Sequence, residues 1–305
     1  MTVAPAAEVT EIAPGAPSRP GRRLNLAWLG VMPFFIFSAA FLIIPVGVLL
    51  AGSFFSATNG ALTLDNYVEL NQPQIIQAYG TSIEISLVTA VVGGIFGLLL
   101  AYAVILGGLP RFLRAFLMTF SGVASNFAGV PLALAFIYTL GFQGIFTKFL
   151  EGTFGFQLYD PSTGFSLYTK LGLEIVYLYF QFPLMVLIMA PAIDGLRKEW
   201  REASENMGAT SATYWRSVAL PILAPTILGT IILLFGNAFG AQATAYNLAP
   251  LVPVVTNVIS AQISGDVFHN PGLGYALAVG MIVIMAVAIF VYTRLQKISE
   301  RWLRS

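Results

Sequence analysis

Residues 194–220 read DGLRKEWREASENMGATSATYWRSVAL, and Pro221 follows. This is the most charged stretch of the chain. It joins two long segments without charge, Ile175–Ile193 and Ser217–Gly265. Leu196, Trp200, Ala203 and Met207 recur at helical spacing, which predicts one amphipathic helix over 196–207. Gly208 follows where a C′ glycine ends a helix. Thr210 or Ser211 then caps a second helix carrying Tyr214, Trp215 and Val218. Pro221 is expected to open the next span near its first turn, where a missing N–H costs little. The product is a helix–glycine–helix elbow lying along a membrane face. An elbow this compact is suited to pass a push from a soluble partner into an apolar bundle.

Composition explains the bundle. Of 305 residues, 57% are hydrophobic and only 10% charged, against about 25% charged in a soluble domain. Too few polar side chains remain to cover a water-soluble surface. The absence of cysteine excludes disulfides and thiol chemistry, and one histidine cannot build a histidine-rich metal centre. A net charge of +1 argues against nucleic acid as a partner. The class that remains is an all-α integral membrane protein.

Charge-free runs act as rulers. They cover 24–64, 85–110, 115–147, 175–193, 217–265 and 267–293. A span needs about 20 apolar residues, so six helices are expected, at 27–51, 82–106, 116–140, 173–193, 222–245 and 275–293. Residues 246–265 hold Asn247, Pro250, Pro253, Asn257, Gln262 and Ser264. They are too polar and broken for another span and are read as a short re-entrant or interfacial helix. With six spans, thirteen of the fifteen lysines and arginines fall on one side, leaving Lys148 and Lys170 on the other. That asymmetry puts both termini in the cytoplasm. Residues 1–23 are expected to be a disordered cytoplasmic tail. The first apolar run is too long for the core of a cleaved signal peptide, and is expected to stay as an anchor within 24–78. Residues 294–305 form the C-terminal cytoplasmic tail.

The elbow carries a resemblance. Glu202-Ala203-Ser204, then three residues, Gly208-Ala209, five residues, Trp215, two residues, Val218, and Leu220-Pro221 with Pro225 resemble the EAA loop of permease subunits in type I bacterial ABC importers. Ser204 stands for the usual alanine, Trp215 for phenylalanine and Val218 for isoleucine. Tyr79-Gly80-Thr81-Ser82 lies where that family often opens its core with an Asn-Ser or Asn-Thr pair, with Gly80 in the Asn place. The resemblance implies a permease core over 79–293, a coupling loop over about 194–221, and a multi-pass protein of the bacterial inner membrane. It also implies a cytoplasmic P-loop ATPase dimer docked on the elbow, a second permease subunit, and an extracytoplasmic solute-binding protein. ATP and Mg would be bound by the partner ATPase, because this chain has no G-x-x-x-x-G-K-[ST] of its own. Within such importers the chain resembles the spermidine/putrescine-type permeases, a group that also serves phosphonate, iron, sulfate and thiamine.

Polar residues at membrane depth mark a candidate path. They are Ser121, Ser125 and Asn126 on the third expected span, Gln181 on the fourth, and Asn237, Gln242, Thr244 and Asn247 on the fifth. Such residues face the protein interior, either as interhelical hydrogen bonds or as cavity lining. Gly236 and Gly240 allow close packing on the same helix. Glu84 and Glu174 lie near external helix ends, where they read either as solvated acids or as groups favouring a cation. Tyr138, Tyr177, Tyr179, Phe180 and Tyr246 form either an aromatic belt or a box for a flat or cationic ligand. His269 falls in an external loop as an exposed or docking residue. A membrane enzyme would need a polar catalytic cluster that the sequence lacks. An ATP-independent channel or secondary transporter remains the other alternative.

Overall fold

The structure is a computed structural model that describes residues 30–57, 59–265 and 269–304, with side chains described up to 297. The chain divides into two compact units, Met1–Val48 and Leu49–Ser305. The expected N-terminal tail lies outside the described residues.

Six helical segments are long and apolar enough to cross a membrane: Met32–Gly52, Pro73–Leu106, Val130–Phe154, Lys170–Asp194, Ser211–Phe239 and Pro271–Lys297. We number the helices α1 (Met32–Gly52), α2 (Asp65–Glu69), α3 (Pro73–Leu106), α4 (Arg111–Asn126), α5 (Val130–Leu140), α6 (Ile145–Phe154), α7 (Lys170–Asp194), α8 (Lys198–Asn206), α9 (Ser211–Phe239), α10 (Gln242–Leu248), α11 (Val255–Ser264) and α12 (Pro271–Arg304). Among the described residues there is no β-sheet, only an antiparallel bridge between Phe55 and Leu62.

Two expectations need correction. The third span is not a helix over 116–140. The chain breaks after Asn126 and restarts at Val130, and the apolar segment is 130–154. Gly129 takes φ +73°, ψ −144°, a region that only glycine enters without strain, and Pro131 fits the first turn of the new helix. The fifth span does not begin at Pro221. The second half of the elbow runs straight into it, so α9 starts at Ser211. A proline inside a helix removes one N–H and crowds the carbonyl four residues back. The chain answers with a π turn over Trp215–Ala219, closed by the Leu220 N–H on the Trp215 carbonyl. The same device precedes Pro45, where Ala39–Ile43 form a π turn.

In the larger unit, α7 is the central strut, with α3, α4 and α9 packed on it. The α3–α7 contact is set by Gly93 and Gly97, one turn apart. A Cβ at Gly93 would lie 2.7 Å from the Gln181 Cβ, and one at Gly97 would lie 2.5 Å from the Met185 Cβ. Absent side chains therefore bring the two backbones together, the usual solution for helices whose apolar surface gains nothing by leaving lipid. Gly229 and Gly236 similarly face Tyr292 and Met285 of α12, whereas Gly240 meets only the Gly236 carbonyl. The residues expected to be re-entrant, 246–265, hold the end of α10 and all of α11, two short helices too brief to span; residues 242–245, expected as the end of the fifth span, belong to α10 instead, because that span stops at Phe239.

Candidate functional site

The elbow is built as its sequence dictates. α8 begins after Arg197, which is extended, and ends at Met207. Gly208 has φ +81°. Its N–H donates to the Glu205 carbonyl at 2.9 Å, and the Ala209 N–H donates to the Ser204 carbonyl at 3.1 Å. These two bonds make a Schellman stop. Thr210 Oγ1 then accepts from the Thr213 N–H at 3.3 Å and caps the next helix. A Cβ at Gly208 would meet nothing within 4 Å, so conformation and not space demands glycine there.

Anchors fix the elbow to the bundle. Trp215 packs edge-to-face on Tyr102 of α3, with ring centroids 5.0 Å apart. Ser204, Tyr214 and Ala219 are buried, whereas Glu202, Ala203, Gly208 and Leu220 are exposed. Ala209 and Pro221 are half-buried. Arg114 reaches Asp194 at 3.2 Å, joining α4 to the start of the loop. Both side chains are largely exposed, so that pair adds little stability. Arg201 and Glu205 pair one turn apart at 2.9 Å, which holds the guanidinium pKa above its usual value.

The candidate path residues do not gather into one chamber within this chain. Gln181 is fully buried, and its amide donates to the Leu234 carbonyl of α9 at 3.0 Å. The Gln181 carbonyl oxygen has no partner. Asn126 is exposed and bonds back to the Gly122 carbonyl at 2.9 Å, and Ser125 does the same at 3.2 Å. Asn237 is exposed and Gln242 half-buried. Tyr177 and Phe180 are buried, Tyr179 packs against Phe127 and Phe136, and Tyr138 and Tyr246 are exposed, so these rings form no common box. His269 is exposed.

The structure instead joins the two helix breaks. The Gly129 N–H donates to Thr244 Oγ1 at 2.9 Å, and the Thr244 hydroxyl donates to the Gly129 carbonyl at 3.3 Å. Tyr177 OH donates to the Ala241 carbonyl at 2.6 Å. Backbone groups freed at membrane depth are thus satisfied by side chains of neighbouring helices. The Gly129-Val130-Pro131 pattern was the signal for the first break. Tyr79 and Ser82, within the regular helix α3, tie it to α12 and to the first turn of α11. Tyr79 OH donates to the Leu277 carbonyl at 2.5 Å, and Ser82 Oγ accepts from the Val255 N–H at 2.8 Å.

At the end of α7 opposite the elbow, Lys170 is ion-paired with Glu84 of α3, and Glu174 lies one turn along, in the field of both. Lys148 pairs with Glu151 at 3.0 Å. Both lysines assigned to the external side therefore already hold a carboxylate. From Lys170 to Asp194, α7 is about 37 Å long at 1.5 Å per residue, enough to cross a bilayer.

Comparison with known proteins agrees with this architecture. Residues 93–305 match the family described as "Binding-protein-dependent transport system inner membrane component". The sulfate transport system permease protein CysT of Salmonella typhimurium is 27% identical over 196 residues, covering 64% of this chain and 66% of that protein, so the chain spans just under two-thirds of that relative. The spermidine/putrescine transport system permease protein PotB of Haemophilus influenzae is 31% identical over 134 residues, covering 44% of this chain and 46% of that one. A chain of a solved bacterial ABC transporter that imports the acidic polysaccharide alginate shares the fold, with TM-score 0.69 at 18% identity, covering 89% of this chain and 95% of the other.

Proposed function

The chain belongs to the binding-protein-dependent transport system inner membrane components, and from that premise we propose how it works: it moves a small polar solute by alternating access, driven by an ATPase seated on the 194–221 elbow. It is a multi-pass inner-membrane permease subunit of an ABC importer, and ATP hydrolysis belongs to other subunits of the complex. The observation that carries the proposed mechanism is the elbow itself. Its Schellman stop at Gly208 and its continuous run into α9 make a rigid lever from the exposed Glu202–Ala203 turn to the helix break at Gly240. A push on the elbow is passed along α9 rather than absorbed at Pro221.

Around that lever we place a cytoplasmic P-loop ATPase dimer that binds ATP and Mg, a second permease subunit, and an extracytoplasmic solute-binding protein. For the path we keep Ser125, Asn126, Glu174, Gln181, Asn237 and Gln242. Those exposed in the single chain would face the second permease, and Gln181 would be reached only when α3, α7 and α9 separate. For the solute we favour a cation of the polyamine kind. Lys148 and Lys170 are neutralised by Glu151 and Glu84, leaving Glu174 to set the charge near α7's outer end. A second reading, sulfate, is favoured by the relatives named CysT.

The test is uptake by proteoliposomes holding the whole transporter, with labelled putrescine or sulfate and the matching binding protein. Asn237→Leu and Gln242→Leu should slow uptake with assembly intact, and Glu174→Gln should slow it further for a cation. Unchanged kinetics in all three variants would show that these residues only pack helices. Sulfate uptake without putrescine uptake would overturn the cation reading.

A further inference from the structure

Residues 155–169 join α6 to α7 at the end of the bundle opposite the elbow. A loop of this length without a helix of its own is commonly functional. It is held in one shape. Tyr159 OH donates to the Leu140 carbonyl at 2.6 Å, and Thr163 Oγ1 donates to the Leu158 carbonyl at 2.8 Å. Phe142 packs on both Tyr159 and Tyr168, with ring centroids 4.2 and 5.1 Å away. Between this loop and α6 lies a pocket of about 280 Å³, whose walls include Phe142, Thr147, Lys148, Glu151, Tyr159 and Asp160. Two features mark it as a site. Thr147 is only 6% exposed, yet its hydroxyl has no hydrogen-bond partner. It sits in the first turn of α6, so the carbonyl four residues back, that of Gln143, precedes the helix. A buried hydroxyl left unpaired costs stability unless another molecule supplies the bond. The second feature is charge. Lys148 is paired with Glu151 at 3.0 Å, whereas Asp160 has no ion pair among the described residues, so the walls carry one negative charge in excess. Hydrogen bonds from the Ser162 hydroxyl and N–H, the latter 2.8 Å from Oδ1, hold the Asp160 carboxyl below the usual carboxylate range and keep it ionised.

We propose that this pocket is the socket for one arginine side chain of the extracytoplasmic solute-binding protein, with the guanidinium on the Asp160 carboxylate and one of its N–H groups donating to the Thr147 hydroxyl. The proposal rests on the permease reading, which places α6 outside the membrane and supplies that partner. A guanidinium suits these walls because its planar fork matches a carboxylate and its face stacks on rings such as Tyr159 and Phe142. Size separates a docked side chain from a free ligand. Clefts that enclose a whole small ligand run to about 300–1,000 Å³, and this pocket lies below that range. A side chain presented by a docked protein needs no such enclosure. Preformed pockets filled by arginine are a common form of hot spot in protein interfaces. The rigid loop also lowers the entropy lost on docking. The socket would thus fix where the binding protein sits over the outer end of α7.

The experiment uses the complete transporter with its ATPase in nanodiscs. Solute-loaded binding protein is titrated in, and stimulated ATP hydrolysis is read. No stimulation in the wild type would sink the permease reading and the socket with it. Stimulation in the wild type with unaltered titrations in the variants would sink the socket alone. Asp160→Asn keeps an oxygen to accept from the Ser162 N–H and removes only the charge. It should raise the half-maximal concentration of binding protein about tenfold, reach the same plateau, and flatten the dependence on salt. Thr147→Val should raise that concentration about threefold while the melting temperature holds, because no internal hydrogen bond is lost. A hydroxyl with a merely structural role would instead lower the melting temperature and leave the titration unchanged. Micromolar binding of free L-arginine amide, abolished by Asp160→Asn, would also overturn the proposal, since the pocket would then serve a free cation.

Discussion

Thr244 and Gly129 lie 115 residues apart and exchange two hydrogen bonds, so a hydroxyl on α10 seals the break between α4 and α5. The second break, at Ala241, is closed by Tyr177 of the unbroken helix α7. This junction, with Tyr177 closing on Ala241, ties α5, α7 and α10 where regular helix is absent.

Thr244→Val keeps the shape but removes the hydroxyl. An unpaired buried N–H costs about 1–3 kcal/mol. The detergent-solubilised transporter should therefore melt several degrees lower, and Thr244→Ser should restore most of the loss. A melting temperature equal to wild type for Thr244→Val would show that Gly129 finds another partner.

Gly208→Val places a β-branched residue at φ +81° in open space. The strain is about 1–2 kcal/mol and is confined to the elbow. The permease should reach the membrane at normal level yet lose solute-stimulated ATP hydrolysis, whereas Gly208→Asn, whose side chain tolerates this region, should keep a substantial part. Full coupling in the valine variant would mean that the Schellman stop is dispensable.

Gly97→Ala drives a methyl to 2.5 Å from the Met185 Cβ and 3.0 Å from the Phe182 carbonyl oxygen. Overpacking of this kind costs about 1–3 kcal/mol. Expression and thermal stability should drop, and Met185→Gly, which removes that Cβ itself, should be less damaging in the Gly97→Ala chain than in wild type. An additive double variant, worse than either single one, would place the clash elsewhere.

A reporter fused after Ser305 should behave as cytoplasmic, because thirteen of fifteen basic residues share a side when six spans are drawn. Extracytoplasmic activity of that fusion would require an odd number of spans.

The residues alone determined the class, the span number and the elbow. Charge-free runs of bilayer length are a local property, and a glycine stop followed by a threonine cap is written within a few positions. The structure keeps both, with Gly208 left-handed and Thr210 bonded to Thr213. The helix boundaries inside the membrane were another matter. Hydropathy treats 116–140 as uniform and makes Pro221 a starting point, yet the chain breaks at 127–129 and runs through Pro221 on a π turn. Both outcomes depend on partners distant in sequence. Backbone groups at a break are tolerable in lipid only if another helix satisfies them, and Thr244 and Tyr177 become partners of Gly129 and Ala241 only after the helices pack. Gln181 shows the same division. Its polarity predicted an interior position, but whether an interior amide lines a path or ties helices depends on which carbonyl lies 3.0 Å away. Here that carbonyl is Leu234's, which tertiary packing of α7 on α9 supplies.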